Sequence, residues 1–462
     1  MSGPQTACEH NLPEPAAPAL NKRTDLAPRA APARAMLGID FGTSNSAAAI
    51  VQPGQPGEPK TSVRPIVLEG SATALPTALF FSQEDQCTFY GAEAMRHYLA
   101  GTEGRLMRSI KSLLGSALMD EQTQVNGRMV GLFDVLVMFL RELKIRAEEQ
   151  LDYRIDAAML GRPVHFVDDN PARDALAQQT LEQAARAAGF TTVNFQLEPI
   201  AAAFDFEQQV AHDTVVLVVD VGGGTSDFTV VRTGPGRAMG ADRSTDILAT
   251  TGVHIGGTDF DRLLDLHTVM PLLGLGHHGP GGREVPSPLY FDLSTWHLIQ
   301  QCYGRASLHR AHALRTAFTN PGLHHRLMRV LQEKQGHRLL NAVELAKIAC
   351  SQSGLEQQID LTCAEPALGA PLTAAAMNAV LSDTLQKVVA CARDCVAGSG
   401  EATPDVIYLT GGSSLLKPLV QGLQVAFPHA RLAAGDRFGS VAAGLALAGA
   451  AFMAGGRMQD KS

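Results

Sequence analysis

The apolar positions of this chain fall into short unbroken runs and longer stretches with helical spacing. Thr214 to Asp220 is a continuous run that turns polar only at its last residue. It predicts a central strand buried on both faces. A similar run from Leu37 opens a strand–turn–strand pattern, with residues 53–59 as a hairpin connection. Residues 131–151 carry helical spacing throughout. Asn170 followed by Pro171 is a cap with a first-turn proline, and the helix it opens should stop at Gly189, which suits a left-handed C-cap. Residues 343–351 read as a helix, 406–410 as a buried strand, and 438–449 as a helix rich in alanine and glycine. Between 270 and 341 lies a divergent helical insert. It begins with a Gly/Pro/His loop over 274–288 and contains the only tryptophan, Trp296. Residues 1–35 are rich in Pro and Ala without a hydrophobic period, which predicts a disordered tail. Residues 456–462 form a short second tail.

With 462 residues the chain can hold two or three domains and a large core. A net charge of −8 and the lack of any Lys/Arg block argue against a nucleic-acid partner. Arg23, Arg29 and Arg34 could belong to a transit peptide, but the prolines and the acids Glu9, Glu14 and Asp25 argue against it. The seven cysteines are scattered, without a Cys-x-x-Cys, and the one-turn spacing of Cys391 and Cys395 suits a core stripe. No apolar run is long enough to span a membrane. The expected setting is cytoplasmic, with neither membrane nor nucleic acid as a partner. None of the fifteen histidines has metal-site spacing, so solvated faces account for them.

Candidate chemistry enters with a repeat. From Val218 the chain reads Val-Val-Asp-Val-Gly-Gly-Gly-Thr-Ser-Asp, and from Leu37 it reads Leu-Gly-Ile-Asp-Phe-Gly-Thr-Ser-Asn-Ser. Both follow one grammar: apolar strand, Asp, one residue, Gly, then hydroxyl residues. A glycine turn lets backbone N–H groups close around an anion, because no Cβ blocks the approach. The Asp at each strand end, Asp40 and Asp220, can hold a hydrated divalent cation. One copy alone is as readily an ordinary hairpin. Two copies point to related halves clamping one nucleotide from opposite sides. A third element, Val406-Ile-Tyr-Leu-Thr-Gly-Gly-Ser-Ser-Leu415, ends a buried strand in Gly411 and Gly412, where a flat ring could lie against backbone.

Together these pieces resemble the actin-like ATPase superfamily. Finer detail resembles its heat-shock 70 kDa (DnaK-type) chaperone branch. Phe195-Gln-Leu-Glu-Pro-Ile-Ala-Ala-Ala-Phe204 looks like that family's connecting segment, and Ser109-Ile-Lys-Ser-Leu-Leu-Gly115 like its catalytic-lysine segment. Ile255-Gly-Gly-Thr-Asp-Phe-Asp-Arg-Leu263 also matches, and residues 159–167 look closest to the YegD-like members. The resemblance covers roughly 36–451, all of it nucleotide-binding domain. It implies an α/β actin-like ATPase fold of two lobes, each a mixed sheet with flanking helices, around a nucleotide cleft. Lobe I would be 36–213 completed by 436–455, and lobe II 214–435 with the insert 270–341.

The same resemblance implies ATP and Mg²⁺ as cofactors, with ATP and ADP as ligands. Asp40 and Asp220 would order the water shell of the metal. Gly42, Thr43, Ser44 and Asn45 would line the phosphates together with Gly222, Gly223, Gly224 and Thr225. Lys111 would reach the γ-phosphate or the attacking water, and Glu198 and Asp227 would orient that water and take its proton. Gly256, Gly257, Gly411, Gly412 and Ser413 would complete the pocket, with Glu344, Lys347 and Ser351 on the adenosine helix. Taken singly, Lys111 could be a solvated lysine, Glu198 a strand end before Pro199, and Asp227 a turn aspartate. Pro163 and Arg173 sit near positions that relay nucleotide state in the family, across an insertion at 167–170.

Two departures qualify the resemblance. The family sandwiches adenine between two arginines, and Ile348 and Leu415 stand at those positions. Losing two cation–π contacts of roughly 0.5–2 kcal/mol each predicts ATP affinity lower by on the order of tenfold to several-hundredfold. Moreover, the sequence to Ser462 contains no peptide-binding β-sandwich or lid. The expected protein is therefore a chaperone-like ATPase lacking the peptide-binding domain, with client or co-chaperone proteins engaging the insert, the tail or a separate partner. Two other classes stay open: a scaffold or filament-forming actin-like protein with slow hydrolysis, and a small-molecule kinase of the same superfamily. The presence of Lys111 and Glu198 argues against a dead site, and the Lys111 segment against a kinase.

Overall fold

The computed structural model describes residues 35–53, 61–167, 170–207, 210–235, 244–400, 403–435 and 439–459. The expected tail over 1–34, the hairpin connection at 54–59 and the last residues, 460–462, lie outside them. Two mixed five-strand paths form the frame. The first runs Thr192–Leu197, Ala157–Arg162, Leu37–Phe41, Asn45–Pro53, Thr61–Pro65. Its central strand, Leu37–Phe41, is parallel to Ala157–Arg162 and antiparallel to Asn45–Pro53. The second runs Ile247–Val253, Ser226–Thr233, Thr214–Val221, Val406–Thr410, Arg431–Ala434. Its central strand, Thr214–Val221, is likewise parallel to one neighbour and antiparallel to its hairpin partner. The sequence repeat is thus a repeat of topology, with each glycine turn closing the same hairpin of its own sheet.

The unbroken apolar run of Thr214–Val221 follows from what covers it. Leu217, Val219 and Val221 face one core, while Val216 and Val218 face another. Between the sheets lie two helices, Glu198–Glu207 and Ser440–Gln459, which bury Ile200, Phe204 and Leu445 against Met159 of the first sheet and Val218 and Tyr408 of the second. Small residues make this middle layer possible. A Cβ added to Gly444 would lie 1.8 Å from the Ala201 carbonyl oxygen, and one added to Gly38 would lie 2.3 Å from the Ala446 nitrogen. The C-terminal helix extends to Gln459, beyond the 438–449 stretch read from the sequence. This layered arrangement is an actin-like ATPase fold.

Helices Leu132–Leu151 and Pro171–Ala187 cover the outer face of the first sheet. The Asn170 side chain accepts from the Arg173 N–H, and Gly189 holds a φ of +106° just past the helix end. On the second sheet the outer layer is Gly257–Thr268, Gly336–Ser353 and Ala374–Gly398. Residues 270–341 are built from short helices, and their Tyr290, Leu293, Ile299 and Leu327 join the same core as the sheet. The insert is therefore part of that lobe's packing. It also explains why the helix expected at 343–351 begins at Gly336: Leu339 and Leu340 are buried among these pieces.

Gly444→Ala should destabilise the protein by about 1–3 kcal/mol through overpacking of the middle layer. Urea-unfolding midpoints measure this, and an unchanged midpoint would contradict the close helix contact.

Candidate nucleotide site

A cleft of about 1140 Å³ opens between the two sheets' turns. Asp40, Gly42, Thr43, Ser44 and Asn45 reach it from the first hairpin, and Asp220, Gly222, Gly223, Gly224, Thr225 and Asp227 from the second. The turns meet closely: a Cβ on Gly223 would lie 1.9 Å from Ser44 Oγ. The second turn is propped from behind by helix Gly257–Thr268. Gly257 N–H donates to the Gly222 carbonyl at 3.0 Å, and Thr258 N–H and hydroxyl both donate to the Gly223 carbonyl at 2.8 Å. Since trans peptides are planar, the N–H groups of Gly223 and Gly224 point away from that helix. Gly256 sits in this support and does not line the cleft. A Cβ there would lie 2.6 Å from the Gly223 and Gly224 backbone.

Gly411, Gly412 and Ser413 form the far wall. Gly411 has a φ of +85°, and a Cβ on it would lie 2.2 Å from Asp220 Oδ1. Glycine there lets the Asp220 carboxylate occupy the strand end.

The electrostatic centre is one ammonium among carboxylates. Lys111 Nζ lies 2.7 Å from Glu198 Oε1, with each side chain only 13% exposed. Burial, then Glu198, pushes the Asp40 carboxyl up to about 7, with Lys111 pulling the other way. Asp220 is raised well above the usual carboxylate range by burial, then by Asp227, Glu198 and Asp40. For Lys111, burial acts to lower the pKa but is outweighed by Glu198, Asp40 and Asp220, so the amine is held charged. Asp227 accepts from the Thr225 hydroxyl at 2.9 Å. The cluster has a surplus of negative charge at hard oxygen donors. That fits a magnesium ion, which keeps several waters and binds through one or two carboxylates plus phosphate oxygens. It does not fit a metal caged by protein alone, since no three metal-binding side chains converge among the described residues.

On the base side, Glu344, Lys347, Ile348 and Ser351 share one face of helix Gly336–Ser353 and line the cleft. Ile348 is 40% exposed to it, and Leu415 lines it too. Lys347 is tied down. Its Nζ lies 2.8 Å from buried Asp261 and also donates to the Gly257 carbonyl at 3.3 Å. The ammonium thus pins the base-side helix to the phosphate-side helix. Ser351 Oγ accepts from the Lys417 N–H at 3.3 Å.

Sequence reasoning did not single out the contacts that join the first lobe to the insert. The Arg108 guanidinium lies 4.4 Å from the centroid of the Trp296 ring, so a strand of the first lobe stacks on the insert. Tyr98 Oη and His337 Nδ1 are 2.7 Å apart, and His337 Nε2 is 3.0 Å from the Trp296 carbonyl. A carbonyl only accepts, so Nε2 carries the proton and Nδ1 accepts from the tyrosine hydroxyl. Burial pushes His337 down to about 4, with the Trp296 carbonyl opposing and Arg108 adding, which keeps the ring neutral. The only advance signal was Trp296 itself, the one tryptophan of an otherwise unfamiliar stretch.

Fold and cleft together define a two-lobed protein of the actin-like ATPase class. Residues 120–271 match the family model described as Hsp70 protein. The chaperone protein DnaK of Endomicrobium trichonymphae is 31% identical over 234 residues, which cover 50% of this chain and 34% of that protein. Over these stretches the chain is similar to Hsp70-family proteins. The match spans about a third of the length of that curated relative. No helix among the described residues is long and apolar enough to cross a membrane.

Arg108→Ala should expose the Trp296 indole to water. Because Trp296 is the sole tryptophan, intrinsic emission reads this directly, and a shift to longer wavelength is expected. Identical spectra for the two proteins would contradict the stack.

Proposed function

We propose that this protein binds Mg·ATP between its lobes and hydrolyses it to ADP and phosphate, as a chaperone-type ATPase. The observation that carries the reading is the Lys111–Glu198 pair set among Asp40, Asp220 and Asp227 where two glycine turns meet. Phosphoryl transfer to water asks a protein for positioning and charge neutralisation rather than covalent work. The turns 42–45 and 222–225 would hold the phosphates with N–H and hydroxyl donors. Asp40 and Asp220 would hold a hydrated Mg²⁺, which when bound neutralises charge on the phosphate oxygens. Lys111 would donate to the γ-phosphate or the attacking water from a position fixed by Glu198. Glu198 and Asp227 would orient that water and take its proton.

In this reading lobe I is 36–213 with 436–455, and lobe II is 214–435. Adenosine lies on Glu344, Ile348, Ser351 and Leu415, while Lys347 supports it indirectly through Asp261. Client or co-chaperone proteins are the natural partners of a chaperone-type ATPase.

Glu198→Gln keeps the shape and a hydrogen bond to Lys111 but loses the basic carboxylate. It should bind ATP within a few-fold of wild type and turn over about 10²-fold more slowly. Calorimetry and single-turnover phosphate release separate the two effects. If affinity and turnover fell together, Glu198 would be holding the lobes rather than the water.

Ile348→Arg should tighten ATP binding by about 1 kcal/mol through a partly exposed cation–π contact, while wild type discriminates only modestly between ATP and GTP. Titrating both nucleotides into both proteins checks this. Strong adenine preference in wild type, with no gain in the variant, would place the base elsewhere.

A further inference from the structure

Behind the cleft lies a second cavity of about 140 Å³. Glu198, Asp220, Asp227 and His165 line both spaces. The three carboxylates therefore form a partition, with the cleft on one side and the rear cavity on the other. The back wall comes from the second sheet, where Thr229 and Thr250 place their hydroxyls 3.2 Å apart. Gly252 completes it, and a Cβ there would lie 2.8 Å from Asp227 Oδ1, so a side chain at this position would crowd that carboxylate. At the other end is His165, a solvent-exposed residue that follows strand Ala157–Arg162.

The chemistry of this wall selects its contents. Lys111 lines the cleft but not the rear cavity. A phosphate leaving this way would meet three carboxylates and no lysine or arginine. Neutral water meets hydroxyls and carboxylates that can all hydrogen-bond to it. Since one water occupies ≈ 30 Å³ in the liquid, the cavity has room for about four or five. Arg108 and Trp296, which line the main cleft, stack on each other beside the Tyr98–His337 contact.

We propose that the rear cavity is the water entrance and proton exit of the hydrolysis, with His165 as the group that passes the proton to solvent. This rests on the ATPase reading above. Water reaches Glu198 and Asp227 from the side away from the nucleotide. Its oxygen bonds to the γ-phosphorus, the bond from that phosphorus to the β–γ bridging oxygen breaks, and the electron pair stays on ADP. The proton released by the water moves along hydrogen-bonded water past Thr229 and Thr250 to the His165 imidazole and then to bulk. ATP and water become ADP, phosphate and that proton. His165 touches neither ATP nor the attacking water in this scheme and acts only as the last carrier of the proton.

The test uses two variants of the full chain, Thr229→Val with Thr250→Val, and His165→Ala. Removing both hydroxyls together leaves neither unpaired and keeps side-chain shape, and the Phe228 carbonyl that Thr250 also serves keeps the Cys395 thiol as a donor, so folding should survive. In both proteins ATP affinity should stay within about twofold, while single-turnover hydrolysis slows by about tenfold, below the full contribution of a general base. The solvent deuterium effect on that step should rise, and added imidazole should restore His165→Ala. Hydrolysis and isotope effect unchanged in both variants would overturn the channel and leave the ATPase reading intact. Slowing without an isotope change or imidazole rescue would also overturn it, by making the role merely structural. A wild-type protein that binds no ATP, or binds it without hydrolysis, would overturn the underlying reading as well.

Discussion

One buried ammonium holds this site together. Lys111 is the cation at the centre of Glu198, Asp40 and Asp220, whose attraction outweighs the cost of burying its charge. The groups around it come from every part of the frame: Asp40 from the first sheet, Asp220 and Asp227 from the second, and Glu198 from the start of the helix between them. Lys111 itself follows Ser109, which holds a left-handed φ of +57°. Such a conformation in a residue other than glycine is uncommon and persists where the surroundings enforce it. With more carboxylates than cations, the cluster keeps its acids protonated or draws in a metal.

Both lobes reach this point by the same route. In each sheet the central strand carries its Asp to the edge and reverses through glycine, so two copies of one hairpin face each other. The small residues of the middle layer let the helices carrying Ala201 and Gly444 sit almost backbone to backbone between the sheets. That thin, apolar layer is what brings Asp40 and Asp220 to one cleft. The first lobe is tied to the insert differently, by the Arg108–Trp296 stack and the Tyr98–His337 contact.

What the sequence disclosed was local. A strand, an Asp and a glycine turn are read within ten residues, because their geometry is set by neighbours along the chain. The cap at Asn170 and the left-handed Gly189 are legible for the same reason. Contacts made across the fold were not. Lys347 looked like a ligand-facing lysine, but its charge is taken up by Asp261, whose position depends on how two helices cross. Gly256 belonged to the motif yet serves the turn from behind. Nothing near Arg108 in sequence shows that it meets Trp296, and the rear cavity exists only once four strands of the second sheet and the two helices between the sheets are assembled.

The central claim is that both hairpins and the Gly411 turn close on a single Mg·nucleotide. Hydrogen-exchange mass spectrometry with and without Mg·ATP tests it, because exchange reports local opening segment by segment. Protection should appear together in peptides covering 41–45, 222–225 and 411–413, with the same nucleotide dependence in all three. Protection in one hairpin alone, or in none, would contradict the clamp.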